Sequence, residues 1–139
     1  MNRTRHLLLL ALLLPCLTAA RPVTHWEKPA PQLQIVSLWR SDCAPCLHEL
    51  ALLPGLARAH PDVRFKIISL KGHITSDQWP PNLTTQYNAD DETLFARYGD
   101  SRRALPFSVA LNAQGGVCAQ HEGILAEDTV NEWMNTCAA

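Results

Sequence analysis

Two cysteines separated by two residues, Cys43 and Cys46, lie just beyond the apolar run Leu33–Trp39. A continuous, largely apolar run of this length predicts a strand that is covered on both faces of a parallel sheet. Apolar side chains recur at helical spacing after Cys46, so Cys43 is expected at the start of a helix. Unpaired backbone N–H groups and the helix dipole stabilise a thiolate at that position. A strand, a cysteine pair and a helix in this order are typical of a thiol–disulfide exchange site.

Residues 1–20 predict a secretory signal peptide that precedes the folded part of the chain. Arg3 and Arg5 come before the apolar stretch Leu7–Leu14, which is too short to span a bilayer. Small residues up to Ala20 then suit cleavage. The alternative is an N-terminal segment that is retained as a membrane anchor.

The mature chain is expected to contain an extended lead-in over residues 21–32 and one domain over residues 33–139. The whole sequence has a formal net charge of −1, and removal of the signal peptide makes it more acidic. This charge predicts no binding to nucleic acid or to a membrane surface. No later segment is apolar enough to cross a membrane, so the mature chain is not expected to span one.

The first half of the domain predicts a right-handed βαβ unit. Leu33–Trp39 and Val63–Leu70 are the expected parallel strands, and Ala44–His60 is the helix that connects them. Pro54 lies inside that helix and is expected to bend it or to break it into two pieces.

The second half predicts an antiparallel hairpin that is followed by a helix. Residues 71–88 are interpreted as a loop with one helical turn, and Asp91–Tyr98 as a short helix. Phe107–Leu111 is the third strand, and Val117–His121 returns antiparallel to it. Glu127–Thr136 is the closing helix.

A central mixed sheet, βαβ and then ββα, flanked by helices is an α/β fold of the thioredoxin-like kind. Ile35–Cys46 resembles the active-site segment of the TlpA-like and ResA-like branch of bacterial periplasmic thiol–disulfide oxidoreductases. The tripeptide Leu105-Pro106-Phe107, followed by Gln114–Val117, resembles the cis-proline loop and hairpin of that branch. The resemblance implies a periplasmic reductase of cysteine-containing protein substrates, kept reduced by an upstream membrane or periplasmic redox partner. We expect no cofactor.

Cys43 is the expected attacking nucleophile, and Cys46 is expected to resolve the mixed disulfide. A zinc site would need a second closely spaced pair of ligands, which Cys118 and Cys137 do not supply. Attachment of a c-type haem would need histidine directly after the second cysteine, whereas His48 is one position further on. No metal site is therefore predicted.

Glu49 lies about one helical turn beyond Cys46. The resemblance implies that this glutamate helps proton transfer and tunes the acidity of the cysteines. Ser37 occupies the position at which thioredoxins carry a buried aspartate, which leaves Glu49 as the acid expected to do this work. An exposed helix glutamate without a catalytic role is the alternative.

Pro106 is implied by the resemblance to follow a cis peptide bond and to face the cysteines. The backbone of Leu105 is then expected to pair with an extended substrate strand. Trp39 is grouped with these two as a substrate-binding residue. An ordinary trans turn proline is the alternative.

Four cysteines remain once the signal peptide with Cys16 is removed, and an even number in an exported protein favours an oxidising compartment. Cys118 and Cys137 lie outside the family signature. A structural disulfide between them is one interpretation, and two free thiols or a second redox pair are the others.

Asp42 stands where the family usually has tryptophan, and its carboxylate is expected to raise the pKa of the Cys43 thiol. Two other functions remain open. A disulfide oxidase or isomerase would use the same cysteines. A copper-binding module without enzymatic activity would hold the metal through the cysteine pair, together with His48 or His73.

Overall fold

The computed structural model describes residues 33–74, 76–87, 90–99 and 103–137. The predicted signal peptide and extended lead-in, residues 1–32, lie outside the described residues. In the part of the chain that is described, no helix combines the length and the apolar character needed to cross a membrane.

The described chain contains the predicted βαβ and ββα units, with an additional strand and a helix between them. The bounds of these elements are β1 (Leu33–Arg40), α1 (Ala44–Ala59), β2 (Val63–Lys71), β3 (Leu83–Gln86), α2 (Asp91–Tyr98), β4 (Phe107–Leu111), β5 (Val117–Glu122) and α3 (Glu127–Thr136).

The strands form one mixed sheet in the order β3-β2-β1-β4-β5. β1 runs parallel to β2, and β2 runs parallel to β3. β4 is antiparallel to both β1 and β5. The central position of β1 explains its continuous apolar sequence, because a central strand is covered on both faces.

The two faces of the sheet carry separate apolar clusters. On one face, Ile35 and Phe65 pack with α1 and α3 residues such as Leu53 and Trp133. On the other face, Val36 and other strand residues pack against α2. Alternate residues of each strand point to opposite faces, so one apolar strand supplies both clusters.

β3 was not predicted, because the sequence favoured a loop for residues 71–88. The strand has only four residues, and Leu83 is its one buried side chain, so it carries no clear alternation. Its pairing with β2 defines it instead. The Asn82 side-chain nitrogen fixes the approach to β3, because its two N–H groups donate among the carbonyl oxygens of Ala57, His60 and Val63 at 2.8–3.0 Å.

Of the two effects expected of Pro54, a bend or a break of the first helix, the break does not occur, since α1 is one helix of 16 residues with Pro54 inside it. Leu50, Leu53 and Ala57 are buried on one face of α1. Burial of that face on the sheet offsets the backbone hydrogen bond that a proline cannot make.

The structure joins Cys118 and Cys137 by a disulfide. Cys118 is exposed on the edge strand β5, whereas Cys137 is buried at the C-terminal end of α3. The bond therefore attaches the end of the last helix to the sheet.

Replacing Cys118 by alanine is predicted to lower the free energy of unfolding by about 3 kcal/mol, because a cross-link between residues 19 positions apart restricts the unfolded chain. Urea unfolding of the wild type and the variant measures the change. The double variant Cys118→Ala/Cys137→Ala should lose about the same amount, since either substitution removes the cross-link. Unchanged stability in both variants would contradict a structural role.

Candidate redox site

The Cys43–Cys46 pair lies where β1 ends and α1 begins, and it forms a disulfide with a Cα–Cα distance of 5.2 Å. Cys43 is the N-cap of α1 in an extended conformation, and its sulfur accepts a hydrogen bond from the Cys46 amide at 3.2 Å. No acidic residue lies in the first turn of α1. The positive end of the helix dipole therefore acts on Cys43 without a compensating charge from that turn.

The two sulfur-bearing residues differ in exposure. Cys43 is half-buried, whereas Cys46 has no exposed surface. Only the first cysteine can be approached by a partner. This asymmetry agrees with the predicted roles of an attacking and a resolving cysteine.

A tight contact beneath the turn before Cys43 fixes the path of the backbone. Gly72 has a φ of 94°, and a Cβ at this position would lie 2.7 Å from the Ser41 Cβ. The Ser41 amide donates to the carbonyl oxygen of Lys71 at 3.0 Å, and the Cys43 amide donates to that of Arg40 at 3.3 Å. A residue with a side chain at position 72 would displace this turn.

Asp42, the residue before Cys43, forms ion pairs with two cations. Its carboxylate accepts from Arg40 Nε at 3.0 Å and from Lys71 Nζ at 2.7 Å. These hydrogen bonds, first that of Arg40 and then that of Lys71, hold the pKa of Asp42 well below its usual range. The expectation that Asp42 raises the pKa of the Cys43 thiol stays a prediction, and two positive charges compensate the negative charge of Asp42. All three groups are solvent-accessible, so salt screens their effect.

Glu49 is buried, with 1% of its surface exposed, and is not the exposed helix residue of the alternative interpretation. Its carboxylate accepts from Ser37 Oγ at 2.6 Å and from the Leu125 amide at 2.9 Å. Ser108 Oγ lies 3.5 Å from the same carboxylate. Burial raises the pKa of Glu49, and these hydrogen bonds together with nearby His121 partly oppose the increase.

Sequence reasoning found Glu49 and Ser37 but missed Ser108, His121 and the Leu125 amide. Ser108 offered a signal, because it is a lone hydroxyl inside the otherwise apolar strand β4. The Leu125 amide offered none, since it reaches the carboxylate from 76 positions further along the chain.

The Leu105–Pro106 peptide bond is cis. Pro106 is buried, and its carbonyl oxygen accepts from the Gly123 amide at 2.8 Å. Leu105 is half-buried and packs against the same apolar cluster as Cys43. The proline loop and the cysteine pair are therefore held by the same apolar cluster.

Trp39 does not offer a surface to a substrate, which corrects its grouping with Leu105 and Pro106. It is 3% exposed and belongs to the apolar cluster between β1, α1 and α3. It lies on the same face of β1 as Ile35 and Ser37, and this face is covered. The exposed apolar side chain next to the cysteine pair is instead Leu47.

Within the described ranges, no group of three or more His, Cys, Asp and Glu side chains could hold a metal ion. His48 is exposed on α1. His73 stacks on Tyr87, with ring centroids 4.6 Å apart.

The comparisons with known proteins rest on structure, since no family model and no curated protein sequence match the chain. StoA from Bacillus subtilis is 25% identical, with a TM-score of 0.53 over 75% of this chain and 83% of that chain. A thiol:disulfide interchange protein named DsbE from Chlorobium tepidum is 18% identical, with a TM-score of 0.58 over 79% and 82%. The exposed lipoprotein thioredoxin Etrx1 from Streptococcus pneumoniae strain TIGR4 is 18% identical, with a TM-score of 0.56 over 76% and 85%.

These likenesses establish the thioredoxin-like fold that the order of elements predicts. Together with the Cys43–Cys46 disulfide, they support a thioredoxin-like thiol–disulfide oxidoreductase.

The substitution Glu49→Gln is predicted to change how stability depends on pH. Because burial raises the pKa of Glu49, the folded protein keeps a proton that the unfolded chain releases at lower pH. Stability due to this proton is present below the unfolded-state pKa and is lost as the pH rises through the folded-state pKa. The wild type should therefore lose free energy of unfolding relative to the variant as the pH rises above the ordinary pKa of a glutamate, about 4.3, towards neutral and alkaline values.

Urea unfolding across this range measures the difference. The exposed residue Glu132 on α3 provides the matched control, and Glu132→Gln should follow the wild-type profile. A Glu49→Gln difference that stays constant with pH would contradict the assignment.

Proposed function

We propose that this thioredoxin-like thiol–disulfide oxidoreductase reduces disulfides of exported proteins through Cys43 and Cys46. The observation that carries the proposal is the disulfide at the N-terminus of α1, with one accessible and one buried cysteine. This geometry gives the two sulfurs different tasks.

The reaction proceeds by two successive exchanges. The Cys43 thiolate attacks one sulfur of the substrate disulfide, and the other substrate sulfur leaves as a thiolate. The Cys46 thiolate then attacks the Cys43 sulfur, which releases the second substrate thiolate and closes the Cys43–Cys46 disulfide. The substrate thiolates take up protons from solvent, as many as the two cysteines lose. An upstream redox partner returns two electrons to the pair.

Glu49 is the group we assign to the proton of Cys46. Both residues are buried on one face of α1, one helical turn apart. A carboxyl whose pKa is raised by burial can accept and release a proton closer to neutral pH than an exposed one. Glu49 thus serves as the base when Cys46 attacks and as the acid in the reverse step.

The position of Glu49 also favours the reducing direction. When Glu49 is ionised, its negative charge on the same buried face opposes ionisation of the Cys46 thiol, which favours the disulfide over the ionised dithiol. A disulfide that is favoured in this way belongs to a protein that gives its electrons to substrates.

The neighbourhood of Cys43 suits contact with a protein. Leu47, the residue after Cys46, is 48% exposed. Leu105, which precedes the cis peptide bond to Pro106, packs on the same apolar cluster as Cys43. We assign an extended substrate segment to the backbone of Leu105, with Leu47 as an apolar contact at its side.

A location outside the cytoplasm, in the periplasm, is part of the proposal. The predicted signal peptide at residues 1–20 supports export. The Streptococcus pneumoniae protein with this fold is an exposed lipoprotein. A second disulfide, Cys118–Cys137, also suits an oxidising compartment.

The substitution Cys46→Ser is predicted to trap protein partners as mixed disulfides with Cys43. The variant can make the first attack but lacks the thiol that releases the substrate. Non-reducing electrophoresis of a periplasmic extract, followed by mass spectrometry of the adducts, detects these partners. Cys43→Ser is the matched control and should trap none. If Cys46→Ser forms no adducts either, protein disulfides are not its substrates.

The reduction potential of Cys43–Cys46 is predicted to be nearer that of thioredoxin, about −270 mV, than that of strong oxidants near about −120 mV. Equilibration in glutathione buffers with mass detection measures it. A value at the oxidising end would replace the reductase with an oxidase or isomerase that uses the same cysteines. Titration of the reduced protein with Cu(I) tests the copper-binding alternative, which requires stoichiometric binding.

A further inference from the structure

A row of polar side chains crosses three strands beneath α1. Ser37 on β1 lies opposite Ser108 on β4, and Ser108 lies opposite His121 on β5. Side chains directly opposite one another on paired strands share a face of the sheet. The row therefore extends from the central strand to the edge strand.

Glu49 lies over the inner end of this row. Its carboxylate accepts from Ser37 Oγ at 2.6 Å, and Ser108 Oγ lies 3.5 Å from it. Glu49, Ser37 and Ser108 are each no more than 2% exposed. A proton on Glu49 consequently has no direct access to solvent.

His121 is the member of the row that reaches solvent. It is half-buried, and its Nε2 lies 3.2 Å from the carbonyl oxygen of Ile124. A carbonyl oxygen only accepts, so Nε2 carries the hydrogen. Nδ1 is then the nitrogen that can take up or release a proton.

We propose that His121 is the proton exit of the redox site, exchanging protons between Glu49 and solvent along the row through Ser108. The inference rests on the proposed function, because it concerns the proton that Cys46 loses when it resolves a mixed disulfide. Among the described residues, His121 on β5 is the charged side chain that acts on Glu49, and Cys46 is buried on α1 one helical turn before it. The remaining partners of the carboxylate are two hydroxyls and the Leu125 amide.

Each resolution of a mixed disulfide moves one proton from Cys46 to solvent. Cys46 transfers its proton to the Glu49 carboxylate and attacks the Cys43 sulfur as a thiolate. Glu49 passes a proton to the row, and His121 Nδ1 delivers one to water. Each substrate thiolate takes a proton from solvent, so one proton leaves through His121 for each one that Cys46 loses.

The test separates the two exchange steps. Reduced protein is mixed with glutathione disulfide, quenched with acid at intervals, and the glutathione adduct on Cys43 is followed by peptide mass spectrometry. Formation of the adduct reports the attack by Cys43, and its decay reports resolution by Cys46. The measurement is repeated from about pH 5.5 to about pH 8.5, a range that brackets histidine titration.

The substitution His121→Ala should slow decay of the adduct at least about tenfold near neutral pH and leave its formation unchanged. Added imidazole should restore the decay rate, because it can occupy the space of the lost ring and carry the proton. Ser108→Ala should slow the decay as well. Imidazole should not rescue this variant, because the interrupted proton transfer then lies between Glu49 and His121, inside the protein.

Two further variants test whether a change in structure, and not the loss of a proton carrier, slows the decay of the adduct. Gln120→Ala changes the neighbouring β5 residue, whose side-chain amide donates a hydrogen bond to the Tyr98 carbonyl oxygen on the opposite side of the sheet. This variant should follow the wild-type rates. His121→Gln keeps a donor for the Ile124 carbonyl without a titratable group, and it should be as slow as His121→Ala. It replaces the alanine variant if that variant does not fold.

The outcomes distinguish this inference from the proposed function. A wild type that forms no adduct and exchanges no disulfide would overturn both. Normal exchange in the wild type, with the same decay rate and pH profile in the His121 variants, would overturn the proton exit alone. Slow decay without rescue of His121→Ala by imidazole would also count against it.

Discussion

The buried carboxylate of Glu49 is the constraint around which this structure is built. A carboxylate in an apolar layer is costly unless hydrogen bonds compensate for the water it has lost. Here the compensation comes from separate parts of the chain, namely Ser37 on β1, Ser108 on β4 and the Leu125 amide before α3. The sheet register, the position of α1 and the turn into α3 must all be correct for one side chain to be satisfied. The group assigned to the chemistry therefore also ties the two halves of the fold together.

The sequence predicted those parts of the fold that depend on local pattern. β1, α2, β4 and α3 each have clear apolar periodicity or end signals, and Asp90 and Gly99 mark the limits of α2 as expected. β3 was missed because its strand character comes from pairing with β2 at the sheet edge. The break that was one of two effects expected of Pro54 does not occur, since a local rule does not include the burial of α1 on the sheet. Tertiary contacts decide both cases.

The candidate site shows the same division. The cysteine spacing and the glutamate one turn further on could be recognised in the sequence, because each depends on helical geometry alone. The Asp42 carboxylate was predicted to raise the pKa of the Cys43 thiol, but the sequence did not reveal its partner Lys71, which comes from the end of β2, 29 positions away. Trp39 shares the covered face of β1 with the core, and a strand pattern does not reveal which end residue stays exposed. Pairings between distant segments are set by the sheet, and they determine the electrostatics of the site.

The Cys118–Cys137 disulfide has a consequence for local unfolding. It closes a ring that contains Leu125, whose amide donates to Glu49. Opening of α3 would withdraw this donor and admit water to the carboxylate, and such partial openings are common in terminal helices. By register, the bond lies towards the Leu111 end of β4, whereas the redox pair lies towards the Phe107 end. The Cys118–Cys137 disulfide near one end of the sheet therefore limits the access of water to the Glu49 carboxylate near the other end.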